Sequence, residues 1–168
     1  FRSLKIIAEV LLPSDGVVLN PWSKSIFYLE DIPSIFDTAS VSDFINFIKL
    51  SYSKNDHPNV NFILKGLFSK KVNSLSTGER KKVILAAAMI SNAKLILFDE
   101  PTNGLDSEFK KKLYKIFNHF EETGACVVFT THLVNDFHGI GVEKYILQDK
   151  SLLKLSKLNE TKYTIRLD

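Results

Sequence analysis

The chain has one cysteine among its 168 residues, Cys126. A single cysteine excludes an internal disulfide framework and any cysteine-based zinc cluster. Because Cys126 lies in the apolar run ACVVFT, we expect a buried and unreactive thiol. The scarcity of cysteine also fits a cytoplasmic protein.

The chain also has little net charge and no long apolar run. Its 22 basic and 19 acidic residues give a net charge of +3. That excess is too small to predict binding to nucleic acid or to an anionic membrane surface. The longest uninterrupted apolar run, residues 83–90, is far shorter than the roughly 18 residues expected of a membrane span.

A phosphate-binding loop is missing as well. None of the seven glycines begins the pattern G-x-x-x-x-G-K-[ST]. In that loop, backbone amides and a lysine hold the β- and γ-phosphates of a nucleotide. The 168 residues therefore lack this cradle.

The length and composition that remain are those of one globular domain. In the first half, FRSLKIIAEVLL has the apolar spacing of a helix and PSDG is typical of a turn. GVVLN and SIFYL read as short strands. Two helical segments follow, at residues 41–52 and about 60–68.

Helices and strands alternate in the second half. The pattern predicts helices at about residues 79–92 and 106–122, strands at 95–98 and 125–130, a short helix near 133–137, and a hairpin formed by KYILQ and SLLKL. Such alternation predicts an α/β fold with a parallel sheet. The runs LILF and ACVVFT indicate strands covered on both faces.

Two carboxylates, Asp99 and Glu100, directly follow the apolar strand LILF. Pro101 ends the strand because it lacks the amide that a sheet requires. Ligands of parallel sheets gather at the carboxyl ends of the strands. A paired acid there costs free energy unless a cation compensates it, so we expect Asp99 to hold a phosphate-bound Mg²⁺ and Glu100 to orient water. A helix cap or surface turn is the alternative.

Two further elements could contact phosphate. Ser76, Thr77 and Gly78 precede the helix predicted from Glu79, and the free amides of a helix N-terminus bind anions. By itself this is only a common capped helix. His132 follows the strand of VVFTT, level with the acidic pair, and we expect it to contact phosphate there.

Four motifs, LSTGE, LILFDEP, TNGLD and TTH, occur in this order and together resemble the nucleotide-binding domain of ABC ATPases. PSDGVV and IFYLEDIPSIFDTASVSDFI extend the resemblance to nearly the whole chain. It implies a P-loop NTPase-like parallel sheet with flanking helices and an inserted α-helical subdomain at about residues 37–92. It also implies ATP and Mg²⁺ as cofactors.

The resemblance assigns roles to the residues that end the strands. Asp99 would be the Walker B carboxylate that holds Mg²⁺ through water. Glu100 would be the catalytic base that orients the attacking water. His132 would be the switch histidine that reaches the γ-phosphate.

The signature motif and the D-loop are assigned in the same way. The LSTGE residues Ser76, Thr77, Gly78 and Glu79 would bind a nucleotide held by a second ABC domain, in a homodimer or heterodimer. Asp106 lies in the stretch that resembles the D-loop, which crosses the dimer interface. It could equally cap the helix that follows.

The sequence departs from the family pattern at three places. We expect Phe1 to lie just downstream of the missing phosphate loop, so that the chain is a partial domain. Asp31 stands where the family has the Q-loop glutamine, and its carboxylate could still bind Mg²⁺; if the register shifts by one, Glu30 takes that place. Thr77 and Glu79 replace the commoner glycine and glutamine.

The resemblance implies an ATP-hydrolysing subunit that powers a membrane transporter from the cytoplasmic face. IPSIF and VSDFINFIKL would dock the transmembrane subunits, although an ordinary core helix has the same pattern. One alternative is a ribosome-acting ABC protein with two cassettes. Another is a regulatory ABC partner that does not hydrolyse ATP.

Overall fold

The computed structural model describes residues 2–52, 58–132, 143, 145–148 and 151–154. They belong to two compact units, residues 1–132 and 133–168. The first unit contains the motifs discussed above, and the second contains a short hairpin.

The first unit is built on a parallel sheet. Its strands are β1 (Ile26–Tyr28), β2 (Leu95–Asp99) and β3 (Cys126–Thr130), in the spatial order β1-β2-β3. The central strand β2 is buried over its first four residues, as its apolar sequence predicts. The residues of β3 are only half-buried, so the prediction that ACVVFT is covered on both faces is wrong. Among the described strands, β3 pairs with β2 alone, which leaves it less covered.

Five helices accompany this sheet in the described part of the unit. They are α1 (Arg2–Ile7), α2 (Val41–Tyr52), α3 (Pro58–Ile63), α4 (Thr77–Ser91) and α5 (Ser107–Glu122), with short 3₁₀ turns at Ser34–Phe36 and Val72–Ser74. Helix α1 packs on β2, and α5 packs on β3. Helices α2 and α3 both pack on α4. The predicted limits of a helical subdomain, residues 37–92, stay a prediction.

The helices differ in how they use their apolar residues. Helix α4 is buried at every position from 83 to 91, because it contacts other helices on several sides. Helix α5 buries one stripe and exposes the rest. Its buried residues recur at helical spacing: Phe109, Leu113, Ile116, Phe117 and Phe120.

The N-terminal predictions are partly wrong. Helix α1 ends at Ile7 rather than continuing to residue 12, and Glu9 has a left-handed backbone with φ 62°. GVVLN forms no strand with any described residue, and Val17 and Leu19 are largely exposed. A strand needs a neighbour for its amides and carbonyls, and the described part of the chain supplies none here.

Of two further helix predictions, one is partly wrong and the other lies outside the described residues. The segment predicted at about residues 60–68 is helical only to Ile63, and Gly66 beyond it turns the backbone with φ 78°. The helix predicted near 133–137 lies outside the described residues. The remaining helices agree with the sequence to within two residues at each end.

The second unit contains the predicted hairpin. Strand β4 (Tyr145–Gln148) pairs antiparallel with β5 (Ser151–Lys154). Within the described residues, no helix is long and apolar enough to cross a membrane.

Candidate active site

The two carboxylates at the end of β2 occupy different backbone conformations. Asp99 is the last residue of the strand and is half-buried. Glu100 follows it with φ 45°, in the left-handed region that residues with a side chain rarely adopt. Such conformations cost about 1–3 kcal/mol and concentrate at functional sites.

Thr130 connects the acidic pair to the neighbouring strand. It lies opposite Asp99 in the parallel register of β2 and β3. Its hydroxyl donates a hydrogen bond to Asp99 Oδ1, and the Glu100 N–H donates to Thr130 Oγ1 at 3.3 Å. Sequence reasoning missed Thr130, although its place at the end of VVFTT was a signal.

Glu100 and His132 form a close polar pair at the ends of β2 and β3. His132 Nε2 lies 2.7 Å from Glu100 Oε1. The two residues follow adjacent parallel strands, so the sheet brings them to the same edge. The imidazole is 58% exposed and the carboxylate 32%, which leaves both accessible to a ligand. The predicted proximity of these residues is confirmed, whereas their catalytic roles stay predictions.

Lys81 is a neighbour that the sequence did not reveal. Its ammonium donates to the main-chain oxygen of Glu100. Burial lowers the pKa of the Lys81 amine, and the negative charges of Glu100 and Asp99 partly oppose that effect. The residue is one of several lysines on helices, and only the tertiary structure places it beside the Glu100 backbone.

The structure brings Glu30, and not Asp31, to the cleft beside Asp99. Glu30, Lys81 and Asp99 line this cleft together with apolar side chains such as Phe98. The Asp31 carboxylate instead accepts hydrogen bonds from the Arg80 guanidinium and from the backbone N–H of Ile32. The prediction of Asp31 as a metal ligand is therefore not supported by its placement.

The Glu30 carboxylate is held by two neighbours. It accepts a hydrogen bond from the Tyr28 hydroxyl at 2.7 Å and pairs with Lys5 Nζ at 3.1 Å. The bond from Tyr28, followed by the one from Lys5, lowers the pKa of Glu30. Burial, together with Glu30, raises the pKa of Tyr28. Glu30 is thus a fixed anion at the cleft.

The signature-like segment forms a capped helix start. Ser76 is the N-cap of α4 and its hydroxyl accepts from the Glu79 N–H at 3.2 Å. The Glu79 carboxylate accepts from the Ser76 N–H at 3.0 Å and pairs with Lys70 at 2.7 Å. Ser76 and Thr77 are exposed, so this turn lies at the surface. Glu79 is engaged in the cap rather than free for a ligand.

Gly78 touches the loop that follows the acidic pair. A β-carbon on Gly78 would lie 2.5 Å from the backbone oxygen of Gly104. Packing thus requires glycine at this position whether or not a ligand binds. Asp106, at the end of the same loop, caps α5 by accepting from the Phe109 N–H at 2.7 Å. The capping interpretation of Asp106 is confirmed, and its interface role stays a prediction.

The donors of the cleft fit a phosphate-bound Mg²⁺. No cluster of three histidine, cysteine or acidic side chains suited to a metal occurs among the described residues. Mg²⁺ in nucleotide sites is usually held by one or two carboxylates, with phosphate and water supplying the other oxygens. Asp99 lines this cleft and matches that pattern as a single carboxylate, whereas the Glu30 carboxylate in the same cleft is already bound by Tyr28 and Lys5.

Comparison with known families gives one broad match. The family described as "AAA domain, putative AbiEii toxin, Type IV TA system" matches residues 19–135. The ATP-binding protein AlbC of Bacillus subtilis, named for an ABC transporter, is 26% identical over 140 residues. The energy-coupling factor transporter ATP-binding protein EcfA2 of Streptococcus pyogenes is 35% identical over 94 residues. These alignments cover 80% and 56% of this chain but only 59% of AlbC and 33% of EcfA2.

Solved structures show the same fold. An ATP-binding subunit of an ABC transporter matches 92% of this chain and 73% of its own, with a TM-score of 0.78 and 18% identity. A metal-chelate type ABC transporter in an inward-facing conformation matches 91% of this chain and 65% of its own, with a TM-score of 0.70 and 23% identity. The predicted parallel sheet with flanking helices, of the P-loop NTPase type, is therefore confirmed.

Proposed function

The chain belongs to the AAA-domain family that it matches and is homologous to ATP-binding proteins of ABC transporters, and we propose that it forms part of an ATP-hydrolysing transporter subunit. In this proposal the complete subunit lies on the cytoplasmic face of a membrane and binds transmembrane subunits. The nucleotide is ATP with Mg²⁺.

The observation that carries the proposal is the contact between Glu100 and His132 beside Asp99. Phosphoryl transfer needs positioned groups and charge neutralisation more than covalent catalysis. Glu100 orients the attacking water and accepts its proton, and His132, which lies beside Glu100, reaches the γ-phosphate. Asp99, with Glu30 beside it, would hold Mg²⁺, which neutralises phosphate charge when bound.

The exposed start of α4 supplies the second half of the site. Its first amides and the positive end of its dipole attract phosphate. Ser76 and Gly78 would contact a nucleotide held by a second ABC domain. The site would then be complete only in a dimer, in which nucleotide binding acts as a clamp.

An apolar groove beside β1 is the proposed dock for a transmembrane subunit. It has a volume of about 420 Å³ and is lined mainly by aromatic and aliphatic side chains: Phe27, Pro33, Phe36, Phe44, Phe47 and Tyr52. Ile35 and Leu50 near it are about four-fifths exposed. An amphipathic cytoplasmic helix of the membrane-spanning partner would bury these residues. The ABC transporter among the structural neighbours supports this choice of partner.

Glu100→Gln in the full-length protein tests hydrolysis. We expect ATP turnover to fall by a factor of about 10²–10⁴, because the variant loses the base, while ATP stays bound and a stable dimer accumulates. Glu108→Gln is the matched control, since Glu108 is an exposed residue of α5. Turnover and trapped nucleotide would be measured on the purified proteins. Undiminished turnover in Glu100→Gln would contradict the assigned role.

The same measurement separates the alternatives. A wild-type protein that binds ATP without turnover would favour the regulatory ABC partner. Turnover stimulated by ribosomes, and not by transmembrane subunits, would favour the tandem-cassette protein. The contact between Glu100 and His132 favours an enzyme over a regulatory partner.

A further inference from the structure

From its place in α4, the Arg80 side chain contacts two other segments of the chain, residues 31–37 and Val72. Its Nη1 lies 3.2 Å from Asp31 Oδ1, and its Nη2 donates to the Val72 backbone oxygen at 3.2 Å. The Asp37 carboxylate lies 4.0 Å from Nη2. The arginine side chain is only 22% exposed, so these contacts are partly shielded from water. A planar guanidinium has several donors in fixed directions and suits such a junction better than a lysine.

Two of these contacts lead toward the apolar groove. Asp31 begins the segment that passes Pro33 and Phe36, both of which line the groove. Asp37 directly follows Phe36 in sequence. The Phe36 ring lies 5.1 Å from those of both Phe44 and Phe47, so this segment packs on the groove's aromatic wall.

The third contact leads toward residues 72–76, the turn before α4 that is called the signature turn below. Val72 begins the 3₁₀ turn that directly precedes Leu75 and Ser76. Arg80 itself lies one turn into α4, where its N–H donates to the Ser76 oxygen at 2.9 Å. The guanidinium therefore joins the start of α4 to two segments that precede it in the chain, residues 31–37 and Val72.

Backbone contacts tie the same two regions together. The Asn73 N–H donates to the Asp37 oxygen at 3.1 Å, and the Val72 N–H donates to the Ala39 oxygen at 3.0 Å. A shift of residues 31–39 would thus displace residues 72–74 unless these bonds break. Arg80 adds to these bonds by holding both segments, residues 31–37 and Val72, to α4.

We propose that Arg80 is a positioning residue that transmits occupancy of the apolar groove to the signature turn, with Asp31 and Asp37 as its anchors. The inference rests on the proposed function, in which the groove receives a transmembrane subunit. Asp31, predicted from the sequence as a metal ligand, acts here as an anchor for a cation of the chain. When a helix enters the groove, residues 31–37 move and Arg80 carries that movement to Ser76 and Gly78.

Hydrogen exchange on Arg80→Gln tests the link without any nucleotide. We expect amide exchange to accelerate by about two- to fivefold both at residues 31–37 and at 72–76, the range that corresponds to partly exposed ionic contacts. Lys82→Gln is the matched control, because it removes the same charge from the same helix but pairs with Asp106. It should leave residues 31–37 unchanged. Acceleration confined to the turn around residue 80, or an equal effect of both variants, would overturn the proposal.

A second set of variants distinguishes loss of the proposed link from misfolding of the Arg80→Gln protein. Asp31→Asn with Asp37→Asn keeps Arg80 in place and should accelerate exchange at residues 72–76 as Arg80→Gln does. Adding Arg80→Gln to this pair should cause little further change at residues 31–37, since its remaining effect is the loss of the bond to Val72. Additive effects would show independent contacts and would overturn the proposed link.

The full-length protein supplies a functional readout. In Arg80→Gln we expect ATPase stimulation by the transmembrane subunits to be lost while basal turnover is kept. Stimulation equal to that of the wild type would also overturn the link. A protein with no ATPase at all would contradict the proposed function, whereas the exchange experiment would still decide the role of Arg80.

Discussion

At the scale of single residues, Gly78 shows how packing and ligand binding can demand the same amino acid. The resemblance assigns its amide to a phosphate, while the structure places the Gly104 backbone against its α-carbon. Either reason alone would require glycine. If replacing Gly78 destabilises the protein without any nucleotide, then packing alone requires glycine there.

Gly78→Ala should lower the free energy of unfolding by about 1–3 kcal/mol, because the new methyl group overlaps a backbone oxygen. At an unobstructed helical position, the same change would raise it by up to about 1 kcal/mol. Urea denaturation of the nucleotide-free chain measures the difference. Asn118→Ala, on the exposed face of α5, is the control and should change stability by less than about 0.5 kcal/mol. A stabilised Gly78→Ala would show that the loop around Gly104 yields easily.

At the scale of elements, the start of α4 combines a cap with an ion pair. Glu79 closes the capping box with Ser76 and also binds Lys70. The bond from Lys70, and then that from the Ser76 backbone, lowers the pKa of Glu79 below its ordinary value of 4.5. A lowered pKa means that the folded state favours the ionised form. Stability from this charge is present above the ordinary pKa and is lost as pH falls through the lowered one.

Glu79→Gln keeps the capping geometry but removes the charge. We expect it to reduce the free energy of unfolding by about 0.5–1 kcal/mol at pH 7. The difference from wild type should be smaller at a pH well below 4.5, because the stabilisation by the charge is lost as pH falls through the lowered pKa of Glu79. Urea denaturation at the two pH values measures it. Ser76→Ala, which removes a neutral cap, should cost about 1 kcal/mol at both; an equally constant effect of Glu79→Gln would contradict the ionic contribution.

At the scale of the whole molecule, the 168 residues contain some parts of the proposed nucleotide site but lack the phosphate-binding loop. The acidic pair, the histidine and the signature turn are present in the described residues. The glycine-rich loop that cradles the β- and γ-phosphates is absent from the 168 residues. The chain should therefore fold its side of the site without binding nucleotide tightly.

Calorimetric titration of these 168 residues with ATP and Mg²⁺ should show a dissociation constant weaker than about 1 mM, and no phosphate release. The reason is that a helix N-terminus and a few carboxylates replace neither the backbone cradle nor its lysine. The full-length protein serves as the positive control. Micromolar binding by the 168 residues would refute this expectation.

The elements that local pattern specifies were predicted well. Helices α2, α4 and α5 and strand β2 lie close to their predicted bounds, because apolar periodicity and caps act within a few residues. GVVLN was predicted wrongly as a strand, because a strand also needs a neighbour for its backbone groups and the described residues supply none. The contact of Asp31 with Arg80 was not predicted, because the sequence gives the position of Asp31 along the chain but not the direction of its side chain.

The sequence by itself determined the order of elements, the acidic pair after a buried strand and the capped turn before α4, since each depends on neighbours within about four residues. Only the tertiary structure decided that Glu30 lines the cleft, that Lys81 reaches the Glu100 backbone and that Arg80 joins three segments. These contacts join residues up to 49 positions apart in the chain. Their partners are selected by tertiary packing, which local periodicity does not encode.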